Sequence, residues 1–178
     1  MAEERFELKG LRALDPQAIA SIHHRYFPEL YRYARFRLGD NSSAEDVASE
    51  AFVRLLEAVA DGRGPESSLR GWLIGTAANL INMHFRRAYR RPQEQLSDEL
   101  ISDGPDPAAS AEGIEQRHVL RRALRRLTPE QQHVLALRFG GGYSLEETAA
   151  LMHKRPNAIK ALQFRALAAL RRGMEHTR

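Results

Sequence analysis

The chain has 178 residues, 43% of them hydrophobic and 28% charged, the composition of a water-soluble protein with one ordinary domain or two small ones. It contains no cysteine, which excludes disulfides, zinc-thiolate sites and a cysteine nucleophile and is compatible with a reducing cytoplasm. It has no apolar run long enough to cross a bilayer, and its charged start, MAEERFELKG, lacks the apolar stretch of a secretory signal, so neither membrane insertion nor export is expected. Charge is unevenly spread. Residues 93–115 carry 7 acids and no Lys or Arg, whereas residues 116–178 carry 13 Lys and Arg against 4 acids. A basic C-terminal block behind an acidic connector is the layout of a tethered nucleic-acid module.

Strand signals are nearly absent and helix signals recur, so an all-α fold is expected. Asp15-Pro16 opens the first helix, with an N-cap oxygen followed by proline at the first helical position. Its apolar stripe runs through Ile22, Tyr26, Leu30 and Tyr33, Pro28 is expected to bend or break it, and Gly39 caps it. Ser42-Ser43-Ala44-Glu45 reads as a capping box opening a helix to about Ala60. After the turn at Gly62–Pro65, Ser67 or Ser68 caps a long helix through Trp72, Leu73, Ala77, Leu80, Ile81 and Phe85, which ends in a basic stretch before Pro92. Residues 93–112, with Gly104, Pro105 and Pro107 among acids, read as an extended flexible linker. A helix resumes near Ala111 and runs to Leu127, with Ile114, Val119, Leu120, Ala123, Leu124 and Leu127 expected inward. Thr128-Pro129-Glu130-Gln131 and Ser144-Leu145-Glu146-Glu147 are two further capping boxes, Gly140–Gly142 separates their helices, and Pro156 opens a last helix to about Arg172.

Residues 144–172 form a helix–turn–helix candidate, a motif that lays its second helix in the major groove. Ile159 and Ala166 with Leu170 face inward. Lys154, Arg155, Asn157, Lys160 and Arg165 are left outward, where they can neutralise phosphates or bond base edges. A helical hairpin with a solvated basic face fits the same pattern.

LTPEQQHVLALRFGGGYSLEETAALM followed by AIKALQFRALAALRR resembles region 4 of the extracytoplasmic-function (ECF) sigma factors. LYRYARFRLGDNSSAEDVASEAFVRLLEA resembles their regions 2.1 and 2.2, and GWLIGTAANLINMHFRR their regions 2.3 and 2.4. The blocks stand in family order and cover most of residues 20–172. The resemblance implies two small helical domains, region 2 over 12–92 and region 4 over 113–176, joined by the linker 93–112. It implies docking on core RNA polymerase through Asp46, Ser49, Glu50 and Arg54, a helix whose exposed acids suit a basic partner; Glu45 and Asp46 could equally serve only to cap it. It implies reading of the promoter −10 element by Asn79, in the position that holds a flipped-out base, with Asn82, His84, Arg86 and Arg87 beside it, the arginines on single-strand backbone. Asn79 could instead mark a helix cap or break, and Trp72 reads as core. Reading of the −35 element falls to Lys154, Arg155, Asn157, Ala158, Lys160, Ala161 and Arg165.

The chain departs from the family's commonest recognition-helix pattern, Thr-Val-Lys-Ser-Arg-Leu, having Ala158-Ile159-Lys160-Ala161-Leu162-Gln163, so base contacts do not transfer directly. Leu162 is expected to lean onto the apolar face. The resemblance further implies promoter DNA and an anti-sigma factor as partners, a cytoplasmic location, a linker that can thread toward the polymerase cleft, no acidic region 1.1 and no added C-terminal domain. It implies no catalytic residue, cofactor or metal, since the core polymerase makes RNA. In keeping with this, the seven histidines show no ligand spacing and Gly140–Gly142 is no phosphate loop. A core-independent helix–turn–helix regulator is the alternative, but it has no use for the AEDVASEAF and GWLIGTAANLI blocks.

Overall fold

The computed structural model describes residues 2–90 and 111–175; side chains of Ala2, Glu3, Ala88, Tyr89, Arg90, Ala111 and Glu112 are left aside. All regular structure among the described residues is helical: α1 (Ala2–Arg12), α2 (Pro16–Leu38), α3 (Asn41–Ala60), α4 (Leu69–Arg90), α5 (Ala111–Arg125), α6 (Pro129–Leu135), a π-helical turn (Ala136–Gly140), α7 (Leu145–Leu151) and α8 (Pro156–Glu175). The linker reading of 93–112 falls almost wholly outside the described residues, as does Pro92.

The N-terminal bundle grows from α2. Asp15 accepts a hydrogen bond from the Ala18 N–H at 3.1 Å, Pro16 needs no donor there, and Gly39 closes the helix at φ 88°, a left-handed conformation that costs glycine little. Pro28 does not break the helix in two. The turns on either side of it bury Ile22, Tyr26, Leu30 and Tyr33, and this packing outweighs one lost backbone bond. The cap of α3 lies elsewhere than the Ser42 box: Asp40 accepts from the Ser43 N–H at 2.7 Å. Asp40 sits one residue after the Gly39 stop, so α2 hands directly to α3. Ser68 caps α4, its Oγ accepting from the Gly71 N–H at 3.0 Å, and α4 runs unbroken through Asn79.

Sequence reading gave no helix before residue 12, yet α1 packs Leu8 and Leu11 into the core. Its acids anchor it. Glu7 pairs with Arg25 at 2.8 Å and accepts from the Tyr26 hydroxyl at 2.9 Å, and Glu4 accepts from the Leu69 N–H, the first donor of α4. Burial, and then the hydrogen bond to Glu7, push the Tyr26 phenol well above its ordinary pKa. The Leu8–Leu11 spacing beside alternating acids was the available signal.

The C-terminal half follows its caps. Thr128 and Gln131, and Ser144 and Glu147, form reciprocal capping boxes. Leu127, Val134, Leu135, Ala149, Ile159, Leu162 and Ala166 make its core. Of the residues expected inward here, Ala123 and Leu127 are buried, Val119 and Leu124 half-buried, and Ile114 and Leu120 exposed, because α5 touches chiefly α8 and so buries only a narrow stripe. The segment after Leu135 is a π turn, not a continued α-helix, and it leads into the buried Tyr143. Leu11, 1% exposed, tests the place of α1: Leu11→Ala should cost about 2–5 kcal/mol in urea unfolding, and a loss below about 0.5 kcal/mol would mean that α1 contributes nothing to the core.

Candidate nucleic-acid interface

Three surfaces follow from this frame. On α3, Val47, Ala48, Ala51, Phe52 and Leu55 face the core. Asp46 and Ser49 are exposed on the opposite side, and Glu50 pairs with Arg54 one turn on at 2.9 Å. Val53, 48% exposed, lies among them, an apolar residue on the same stripe that the sequence reading passed over. Asp46, Ser49, Glu50 and Arg54 are placed outward, and the N-cap of α3 is Asp40, not Glu45 or Asp46.

On α4, Asn79, Arg86 and Arg87 are exposed while Asn82 and His84 are half-buried. The set is therefore not one open patch. The His84 ring stands edge-on to Phe85 at 5.9 Å, and the Asn82 amide oxygen accepts from Arg37 of α2 at 2.9 Å. Trp72 is partly buried against the core. On α8 and the turn before it, Lys154, Arg155, Asn157, Ala158, Lys160, Ala161 and Arg165 are all exposed; the Lys154 ammonium lies 2.9 Å from Glu130. The turn itself is tight, with His153 at φ 52° and the Lys154 N–H bonded to the Ala149 carbonyl. Leu162 and Gln163, which stand where the common family pattern has Arg and Leu, have structural roles. Leu162 is buried at 5% exposure, as its lean onto the apolar face required, and the Gln163 amide oxygen accepts from Arg138 of the π turn at 3.1 Å.

The two halves are not separate in this structure. Ala136, Leu137 and Tyr143 belong to the same buried cluster as α1–α4. A Cβ on Gly140 would lie 2.7 Å from the Phe36 Cβ and 3.2 Å from the Arg32 carbonyl, so α2 and the π turn approach as only glycine allows. Tyr143 donates from its hydroxyl to Glu29 at 2.8 Å, and Arg70 pairs with both Glu29 and Glu147, tying α4 to α7. Arg37, 9% exposed, donates to the Tyr33 hydroxyl at 3.2 Å, to Asn82 and to Gln132 of α6 at 3.3 Å. Tyr33 and the His133 Nδ1 are 2.6 Å apart. In the neutral imidazole tautomer protonated on Nε2, the Tyr33 phenol donates to Nδ1 while its oxygen accepts from Arg37.

Burial, and then the nearby Arg37 charge, lower the His133 pKa from 6.5 to about 4, against a smaller upward pull from Glu130. The group binds its proton more readily once the contact is lost, so the contact is favoured above pH 6.5 and weakens as pH falls from 6.5 toward about 4. His133→Gln should remove this part of the acid sensitivity of the interface, read as the change in scattering radius between pH 7 and pH 4.5; an unchanged acid profile in the variant would exclude His133 as its source.

Two family models match the chain, sigma-70 region 2 over residues 22–91 and sigma-70 region 4 over residues 123–172. The ECF RNA polymerase sigma factor BldN of Streptomyces coelicolor is 33% identical over 165 residues, which cover 90% of this chain and 62% of BldN. The ECF RNA polymerase sigma factor SigD of Mycobacterium tuberculosis is 31% identical over 166 residues, covering 88% of this chain and 77% of SigD. Among solved structures, CnrH in complex with the cytosolic domain of CnrY matches over 97% of both chains with a TM-score of 0.66 at 20% identity, a likeness of fold. With both family models in order along one chain and relatives of this identity and coverage, the chain belongs to the sigma-70 family, among the ECF RNA polymerase sigma factors.

Proposed function

We propose that the chain binds core RNA polymerase as an alternative sigma factor, directs it to promoters with a −10 and a −35 element, and helps open the −10 region. The observation that carries this reading is the presence of both promoter-reading regions, in order, on one chain whose α3 presents Asp46, Ser49, Glu50 and Arg54 outward. Residues 12–92 form the domain for core docking and −10 reading, 93–112 the connector, and 113–176 the −35-reading domain. In this reading α1 belongs with the first domain, which then begins nearer residue 2.

Asp46, Ser49, Glu50 and Arg54 dock on polymerase. Asn79 and Asn82 offer amides to an extruded −10 base while His84, Arg86 and Arg87 line the strand. Lys154, Arg155, Asn157, Lys160 and Arg165 hold the −35 duplex with Ala158 and Ala161 beneath it. The chain performs no bond chemistry of its own, since nucleotidyl transfer belongs to the core polymerase. It acts in the cytoplasm, where polymerase and DNA are; among the described residues no helix is long and apolar enough to cross a membrane. An anti-sigma factor is a further partner, as the family resemblance implies; CnrH, similar in fold, is seen with the cytosolic domain of CnrY. A core-independent regulator is less favoured because it leaves the region 2 blocks without a use.

This role requires the halves to part. Elements some 25 base pairs apart are separated by about 85 Å along B-DNA, whereas a compact chain of this length has a radius of gyration of about 16 Å. Parting takes Gln132 away from Arg37 and His133 away from Tyr33.

Run-off transcription from a genomic promoter library, with core polymerase alone and with this protein, tests the reading. Specific transcripts should appear only with the protein. Asp46→Arg should weaken core binding by roughly tenfold or more, by placing like charge against a basic partner, without moving the unfolding midpoint. Absence of both specific transcripts and core binding would return the chain to the core-independent reading.

A further inference from the structure

The outward face of α8 is not uniformly polar. Phe164 is 75% exposed. A single exposed apolar residue needs no explanation by itself; its surroundings give this one meaning. Asn157, Ala161 and Phe164 follow one another at spacings of four and three, so they line one stripe of the helix. All three are exposed, with Lys160 and Arg165, also exposed, on its flanks. Cations beside an apolar stripe suit a polyanion whose grooves expose apolar groups, and not an apolar protein partner.

The residues around Phe164 leave it little competition for the bases. Leu162, where the common family pattern has Arg, is buried in the domain core, and Gln163, where it has Leu, is engaged by Arg138, so both point away from the stripe's centre. Ala158 and Ala161 are too short to reach far into a groove. Phe164 is therefore the longest uncharged side chain on the stripe. The apolar group that a major groove offers is the thymine 5-methyl, which distinguishes thymine from every other base there.

We propose that Phe164 reads a thymine methyl in the upstream promoter element, so that specificity at that base pair rests on apolar contact and not on an arginine fork. The inference deepens the sigma-factor reading and rests on it. Lys160 and Arg165 then supply phosphate contacts that position the helix.

The test begins from promoters found by run-off transcription with the full chain and core polymerase. Each thymine of the upstream element is replaced by uracil, which removes the methyl and leaves base pairing intact. The wild-type holoenzyme should lose about three- to fourfold in promoter affinity at one position, the effect of one buried methyl group. Phe164→Ala should show a similar loss on the thymine template and no further loss on uracil. Lys160→Ala should weaken binding to both templates alike and flatten its salt dependence. The proposal is overturned if the wild type is indifferent to every uracil, or if Phe164→Ala is as sensitive to uracil as the wild type. Reduced binding of Phe164→Ala to core polymerase without DNA would instead assign the residue to a protein contact and equally overturn it. Absence of any promoter-specific transcript would sink the sigma reading itself, and this inference with it.

Discussion

A guanidinium withdrawn from water must be surrounded by acceptors, because an unpaired buried charge costs several kcal/mol. Arg37 is in that position, and the acceptors the described residues give it are all neutral: a phenol, and amides from α4 and α6. Its Nε has no hydrogen-bond partner among them. One of the three acceptors, Gln132, comes from the C-terminal half, and the phenol is itself oriented by His133 of that half. The state of Arg37 is thus tied to the packing of one half on the other. A buried cation without a carboxylate is a weak adhesive, since rehydrating it recovers much of what separation loses. The contact also has a strong side, in Tyr143 and Gly140 seated against α2 and in the Glu29–Arg70–Glu147 chain. The balance suits a contact that holds the free chain together and yields to a larger partner surface.

Asn82 sits on α4 three residues from Asn79, and its amide oxygen accepts from Arg37 of α2, a bond within the N-terminal bundle. The outward faces of α3 and α8 are open in this state. The packed chain therefore leaves exposed the α3 and α8 residues proposed to meet polymerase and duplex, while the Asn82 amide oxygen is engaged inside the N-terminal bundle.

Much of the helical frame was legible in the sequence because caps are local. Asp15-Pro16, Gly39, Ser68 and the boxes at Thr128 and Ser144 each satisfy orphan backbone groups within three or four residues, and Pro156 starts its helix with no N–H to satisfy. What failed depended on tertiary context. Pro28 was tolerated because burial on both sides holds the helix together, the α3 cap moved to Asp40 because Gly39 delivers the chain there, and α1 is held by partners 18 to 65 residues away. The candidate site residues came from the family resemblance, and the outward faces of α3 and α8 followed from helical spacing, whereas the side-chain partners did not. That Asn82 bonds to Arg37, that Gln163 bonds to Arg138 and that Tyr143 belongs to the N-terminal core are contacts across long sequence separation, which no periodicity encodes.

The most direct measurement uses the absence of cysteine from the natural sequence. Glu57→Cys on α3 and Glu175→Cys at the end of α8 are both exposed positions and can carry a pair of spin labels. The distance between them is measured by pulsed dipolar spectroscopy in the free protein and in an initiating complex with core polymerase and promoter DNA. A single short distance in the free chain, replaced by one tens of ångströms longer in the complex, is the predicted result, on the scale of the roughly 85 Å between the two elements. The same short distance in a complex that is making RNA would contradict the account, because the assigned faces of α4 and α8 could not then both be on the promoter.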